Sequence, residues 1–265
     1  MIDLHNHMLP GLDDGAADLG ESIKMARAAA EDGIKAVVCT PHWIPGLYEN
    51  TRTVILERIE ILTEKLREQN IQLRLYPGSE LRLDASLPQK IMSREVLSVN
   101  DSGRHVLIEL PEVVTSDHLE HFFWDLIAQG VTPIIAHPER NFYVQSHPEK
   151  VFGWVQMGVM LQITGSSLLG RFGRPSLDLA MRFLHHRMVH IVATDSHGLR
   201  MRSPKLARVR QLLEQTVGED RAREMTCTTP KRIISGQRLK IEAPLPFTSE
   251  PRLWKKLLGF FGQRA

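Results

Sequence analysis

The stretch 1–15, MIDLHNHMLPGLDDG, carries two imidazoles and two adjacent carboxylates. Ile2-Asp3-Leu4 reads as a short apolar strand. Side chains two apart on a strand share a face, so His5 and His7 point the same way from its C-terminal end. One rigid element can thereby offer two ring nitrogens to a metal ion. The pair Asp13-Asp14 follows in a loop, within reach. A lone His-x-His serves hydrogen bonding as readily as ligation, so the rest of the chain decides.

Further donors recur in short motifs: Pro41-His42, Gly78-Ser79-Glu80, Glu109 in LIEL, His137 in AHPER, and Asp195 and His197 in ATDSH, again two apart. With His5, His7 and Asp14 they make nine candidate metal ligands, Asp13 standing as the alternative to Asp14. One ion takes about four to six ligands, so nine suit two or three ions with a bridging carboxylate. Any one of the nine has a plain structural alternative, a helix-capping carboxylate or a hydrogen-bonded core histidine. Independent structural roles give no reason for all nine to follow strands. The other seven histidines do not share the pattern. His118, His121, His185 and His186 fall in helices, His147 falls in a loop, and His105 and His190 open strands. Cys39 precedes His42 without a phosphate-cradling Cys-x5-Arg loop and reads as core packing. No Gly-x-Ser-x-Gly elbow is present.

The elements that must position these groups are seven short apolar runs, at 2–4, 35–40, 71–76, 105–108, 132–136, 159–163 and 190–193. Their apolarity is continuous rather than alternating, which predicts a parallel sheet covered on both faces. Amphipathic helices lie between them. One is capped by Asp18 with Glu21 as box partner and buries Leu19, Ile23, Ala26 and Ala30. A second, over 53–69, carries Ile55, Ile59, Leu62 and Leu66 on one stripe, and a third covers 116–129. Ser203-Pro204 and Thr229-Pro230 read as caps opening the final two helices. Seven strand–helix alternations predict an α/β fold, a single-domain (β/α) barrel whose strand C-termini share one mouth.

The composition excludes several classes. No apolar run reaches the ~18–20 residues of a membrane span, and the polar N-terminus is not a signal peptide. Two cysteines build no disulfide framework, which points to a reducing compartment, the cytoplasm. A net charge of +2 calls for no nucleic acid. No dinucleotide or Walker glycine loop follows any strand. Residues 1–242 are expected to form the domain, and 243–265 a Pro-broken lead and basic amphipathic tail. Leu253, Trp254, Leu257, Leu258, Phe260 and Phe261 alternate there with Arg252, Lys255, Lys256 and Arg264. Such a tail suits a membrane surface, a partner, a subunit contact, or packing back on the barrel.

HNH at 5–7, DDG at 13–15, TPH at 40–42, GSE at 78–80, IEL at 108–110, AHPER at 136–140 and TDSHG at 194–198 resemble the PHP (polymerase and histidinol phosphatase) superfamily. The similarity runs over about 1–236. QITGSSLLGRFG at 162–173 narrows it to the bacterial PHP-type protein-tyrosine phosphatases of capsule and exopolysaccharide operons. The resemblance implies a distorted seven-stranded (β/α) barrel with a trinuclear metal centre. It implies one ion on His5, His7, Glu80 and Asp195, a second on Glu80, Glu109 and His137, and a third on Asp14, His42 and His197. Mixed imidazole and carboxylate ligation admits manganese, iron, zinc, cobalt or magnesium, and no thiolate narrows it; manganese is the first expectation.

The chemistry expected is attack on phosphorus by metal-acidified water, without a phosphoenzyme. Arg140 and then Arg202 are the candidate cations for the transition-state charge, and His42 is counted with them in the catalytic group. A phenolate leaving group, with pKa about 10, needs less protonation than an alkoxide and favours aryl phosphates. By resemblance the substrate is a phosphotyrosine protein, the C-terminal tail of a membrane tyrosine kinase controlling polysaccharide synthesis. The alternatives are a PHP phosphoesterase for a small molecule such as histidinol phosphate, and a non-catalytic metal-bearing scaffold.

Overall fold

All seven apolar runs form strands in the computed structural model, which describes residues 1–112 and 116–246. In chain order the strands are β1 (Ile2–Asn6), β2 (Ala36–Cys39), β3 (His42–Ile44), β4 (Tyr48–Glu49), β5 (Arg74–Pro77), β6 (Glu80–Arg82), β7 (His105–Glu109), β8 (Thr132–Ala136), β9 (Met160–Thr164) and β10 (Ile191–Ala193). The second and third staves of the barrel are each split in two. β2 pairs with β5 and β3 with β6, all in parallel, across interruptions at Thr40-Pro41 and Gly78-Ser79. Pro41 has no N–H to give the ladder. At Gly78 an added Cβ would lie 2.8 Å from Val38 Cγ1, so a side chain has no room there. These two breaks are the distortion of the barrel.

From β6 the sheet continues in parallel through β7, β8 and β9 to β10. β1 pairs with β2 and closes the cylinder on its other side. There His7 N donates to Ser196 O at 3.0 Å and Asp195 N to His5 O at 2.9 Å. This short seam is reinforced by side chains. Buried Asp3 accepts from Thr194 N at 2.8 Å and Asn6 Nδ2 at 3.1 Å, and Asn6 Nδ2 also donates to Ser196 Oγ at 2.5 Å.

Alternate strand residues divide between two cores. Val106, Ile108, Ile135, Leu161, Ile163 and Val192 pack outward with helix residues such as Phe123, Trp154 and Phe183. Leu4, Val38, Leu107, Ile134, Met160 and Ile191 form the inner cluster, joined by Ile233 and Ile234. Burial on both faces is why these strands read as continuous apolar runs.

Asp18 caps the helix Leu19–Glu31, accepting from Glu21 N at 2.8 Å, while Glu21 Oε2 accepts from Ala17 N. That helix buries Ser22, Met25, Ala26 and Ala29, a stripe turned from the expected one, with Leu19, Ile23 and Ala30 at its edge. The helix Arg52–Glu68 buries Ile55, Leu62 and Leu66. Two caps are corrected. Ser203-Pro204 opens no helix; Ala207–Val217 begins later, and Asp32 Oδ2 accepts from Leu206 N at 2.6 Å and Ala207 N at 2.8 Å. A carboxylate from another element satisfies those donors and the end of the dipole, leaving no local signal. Thr229-Pro230 lies inside a helical stretch running from Glu219–Arg223 through the wide turn Glu224–Thr228 into Thr229–Ile234.

No helix of the described residues is long and apolar enough to cross a membrane. Leu245 N donates to His186 O at 2.9 Å, so the chain holds the barrel slightly past the expected 242/243 boundary. The basic amphipathic tail lies outside the described residues.

Candidate metal centre

The strand C-termini deliver the donors to one place. His5 Nε2 lies 3.0 Å from His7 Nε2, 3.1 Å from Glu80 Oε2 and 3.4 Å from Asp195 Oδ1. Glu80, at the head of β6, also faces His42 Nδ1 at 3.0 Å and His137 Nε2 at 2.7 Å. Asp14 Oδ1 faces His197 Nε2 at 3.2 Å and His42 Nε2 at 3.5 Å. His137 and Asp195 take left-handed backbone conformations, with φ of 33° and 49°. Non-glycine residues rarely adopt these, and their presence at two strand ends marks a functional constraint.

Three overlapping donor groups result: His5, His7, Glu80 and Asp195; His7, Asp14, His42 and His197; and His42, Glu80 and Glu109. The first coincides with the set the resemblance implies for one ion. The second adds His7 to the implied third set. In the remaining group His42 stands where His137 was expected, while His137 Nε2 lies 3.9 Å from Glu109 Oε1.

The surroundings suit cations. Glu80 Oε2, His42 Nδ1 and His197 Nε2 are buried without a hydrogen-bond partner. Burial and the neighbouring Glu80 charge push the Glu109 carboxyl up to about 7, despite Arg82 Nε donating at 2.8 Å. Carboxylates crowded in this way call for positive charge between them. Oxygen and imidazole donors without thiolate fit divalent first-row ions or magnesium. The residues present therefore fit the metal ions the family implies.

Both expected arginines reach Asp195. Arg140 Nη1 pairs with Oδ2, and Arg202 Nη2 with Oδ1 at 2.6 Å. Burial opposes ionisation of Asp195, but His5, Arg202, His137 and Arg140 outweigh it and hold the carboxyl below its ordinary range. Both ring nitrogens of His42 face carboxylates, so its place is that of a donor. Cys39 is fully buried and burial raises its thiol pKa, which agrees with core packing.

Sequence reasoning missed the residues that aim these donors. Asp13, the alternative to Asp14, accepts from His7 Nδ1 at 2.7 Å and His42 N at 2.9 Å. Gly15 lets this loop close: a Cβ there would lie 2.0 Å from His7 O. Gln162 Oε1 accepts from His5 Nδ1 at 2.8 Å. Glu139 Oε1 accepts from Thr164 N and Ser167 Oγ, pinning the His137–Arg140 loop to the end of β9. The signal available was a lone amide or carboxylate in an apolar run or beside a ligand. Holding the far nitrogen of a ligating imidazole fixes its tautomer and direction.

A parallel barrel with clustered imidazoles and carboxylates at its strand C-termini defines the class, a metal-dependent hydrolase. Within that class the chain belongs to the capsular polysaccharide synthesis CpsB/CapC family, whose model matches residues 1–235. It is 34% identical over 261 residues to tyrosine-protein phosphatase YwqE of Bacillus subtilis, covering 98% of this chain and 100% of the relative. A crystal structure from work on YwqE of Bacillus subtilis and CpsB of Streptococcus pneumoniae, described as unique metal-dependent tyrosine phosphatases, superposes with TM-score 0.88 at 34% identity. It covers 93% of this chain and 99% of that one. Histidinol phosphate phosphatase of Lactococcus lactis, complexed with zinc, L-histidinol and phosphate, shares the fold alone, with TM-score 0.53 at 14% identity. That match covers 85% of this chain and 94% of the other.

Proposed function

We propose that this chain is a metal-dependent protein-tyrosine phosphatase acting in capsular or extracellular polysaccharide synthesis. Its substrate on this reading is the phosphorylated C-terminal tail of a membrane tyrosine kinase, met in the cytoplasm. The observation that carries the reading is the set of three donor groups linked pairwise, each pair through one of His7, His42 and Glu80. On this reading residues 1–242 form the catalytic unit, with 243–246 held to it at His186.

Two or three divalent ions, manganese first among them, would be held by His5, His7, Asp14, His42, Glu80, Glu109, His137, Asp195 and His197. Bound there, such ions supply Lewis acidity for phosphoryl oxygens and bring the pKa of water from about 15.7 toward ~7. The chain's own residues set direction and charge. Asp13 and Gln162 aim His7 and His5 at the centre. Arg140 and Arg202 each give one bond to an Asp195 carboxylate oxygen, and a guanidinium has five N–H donors. Arg202 Nε also donates to the Asp195 carbonyl; on this reading the donors that Asp195 leaves over take the phosphoryl oxygens. A phenolate leaves without a dedicated acid, consistent with His42 serving as a donor and not as a proton carrier.

The test is elemental analysis of the purified protein together with turnover of a phosphotyrosyl peptide and of histidinol phosphate, before and after chelation. Bound divalent metal with chelator-sensitive peptide turnover is expected. Turnover confined to histidinol phosphate would replace this reading with the small-molecule phosphoesterase, and metal without turnover of either would replace it with the scaffold.

A further inference from the structure

Among the described residues eight large apolar side chains are exposed, and their distribution is uneven. Four of them, Leu47, Phe142, Leu199 and Met201, stand on segments that follow strand C-termini, Phe142 opening the short helix Phe142–Ser146. They include the three most exposed of the set, Phe142 at 76%, Met201 at 73% and Leu47 at 67%. Each has a site residue close along the chain. Leu47 lies in the β3–β4 turn after His42, Phe142 two residues beyond Arg140, and Leu199 and Met201 between His197 and Arg202. None of the four belongs to either core cluster.

The loops are tied to the centre and to each other. Arg171 Nη1 donates to Met201 O at 3.0 Å, joining the loop after β9 to the loop after β10. The next residue, Phe172, places its ring 4.4 Å from the Arg140 guanidinium carbon. On the β3–β4 hairpin the Tyr48 ring lies nearly parallel to that of His42, 6.0 Å between centroids. Tyr48 thus lies beside a donor and Phe172 beside Arg140, and beyond them the lip carries the four exposed apolar side chains together with exposed Arg171 and Arg200. Exposed apolar surface that serves no core marks an interaction site, and these loops already carry the chemistry.

We propose, resting on the phosphotyrosine reading above, that Leu47, Phe142, Leu199 and Met201 form the docking rim for the protein substrate. The rim takes apolar side chains that flank the phosphotyrosine in an extended segment. Continuity with the mouth argues for this occupant, because a chain whose phosphate enters the centre must lay its neighbouring residues across the lip. A small phosphomonoester ends short of the rim and gains nothing from it.

The experiment compares wild type with the triple variant L47S/F142S/M201S on three probes. These are phenyl phosphate, a phosphotyrosyl peptide with Leu and Phe flanks, and one with Gly and Ser flanks. Wild type is expected to show the lowest KM for the apolar-flanked peptide. The variant should raise that KM by roughly tenfold, the loss of a few partly buried apolar contacts. Metal content and kcat/KM on phenyl phosphate should stay unchanged. If wild type does not distinguish the two peptides, or the variant alters all three probes equally or none, the rim is overturned while the phosphotyrosine reading stands. If wild type cleaves phenyl phosphate but neither peptide, that reading falls and takes the rim with it.

Discussion

Asp13 Oδ2 accepts a hydrogen bond from His7 Nδ1 at 2.7 Å, which leaves His7 Nε2 facing Glu80 and Asp195. Its neighbour Asp14 instead enters a donor group with His7, His42 and His197. The two adjacent carboxylates therefore divide the work: one aims an imidazole, the other offers an oxygen. Asp13→Asn should weaken metal affinity by about 10–100-fold, the usual cost of losing an outer partner of a ligating histidine. Excess metal should restore its turnover. Asp14→Asn removes a donor, and its turnover should stay low at any metal concentration. Chelator competition with metal-dependent rates checks both.

Arg140 and Arg202 share Asp195 but not their other surroundings. Arg140 also stacks on Phe172, whereas Arg202 Nε donates to the Asp195 carbonyl at 3.1 Å. Arg140→Ala should raise the KM for a phosphotyrosyl peptide and lower kcat, by about 10²-fold in kcat/KM if it meets the transition-state charge. Metal content should hold, since His5, His7 and Glu80 remain in place. A fall in bound metal comparable with the fall in rate would make Arg140 a support for Asp195 and not a phosphate ligand. Arg140→Lys separates the roles further, because a lysine keeps the charge but not the planar fork.

His137 Nε2 lies 2.7 Å from Glu80 Oε1 and further from Glu109. His137→Ala should lower the metal-to-protein ratio and abolish turnover while leaving the far-ultraviolet circular dichroism unchanged. The barrel's cores do not include this side chain. Full activity in the variant would remove His137 from the centre.

How far the sequence was legible depended on whether a signal was local. His5 with His7, and Asp195 with His197, could be read because a strand presents every second residue to one side. The seven runs could be read because each is apolar on both faces. The splitting of two staves was not legible, since Pro41 and Gly78 look like ordinary loop punctuation until β3 and β6 are seen to pair beyond them. Gln162 is visible as a lone amide in an apolar run, yet its partner His5 is 157 residues away. The same distance problem hid Asp32, which caps a helix 174 residues later. In the group with Glu80 and Glu109, His42 joins because β3 pairs directly with β6, setting His42 opposite Glu80, a register that spacing does not encode, while His137 keeps its own contact with Glu80.

Acid should destabilise the barrel from its far end as well as from its mouth. His105, opening β7, is buried with neither ring nitrogen hydrogen-bonded, and burial together with Arg104 lowers its pKa to about 4. His190, just before β10, accepts from Leu161 N at 3.0 Å through Nδ1, a bond that protonation would break, and burial with Arg221 lowers it to about 4 as well. An unfolded imidazole takes its proton near 6.5. Between those values the unfolded chain binds more protons than the folded one, so stability present in full above about pH 6.5 is lost as pH falls toward 4. Each ring should cost on the order of 1–2 kcal/mol at pH 5. His105→Leu removes one such group without opening a large cavity. Urea unfolding of wild type and variant at pH 7.5 and pH 5 should show the variant losing less stability between the two. A difference that does not change with pH would show that the His105 imidazole takes its proton as readily in the folded protein as in the unfolded chain.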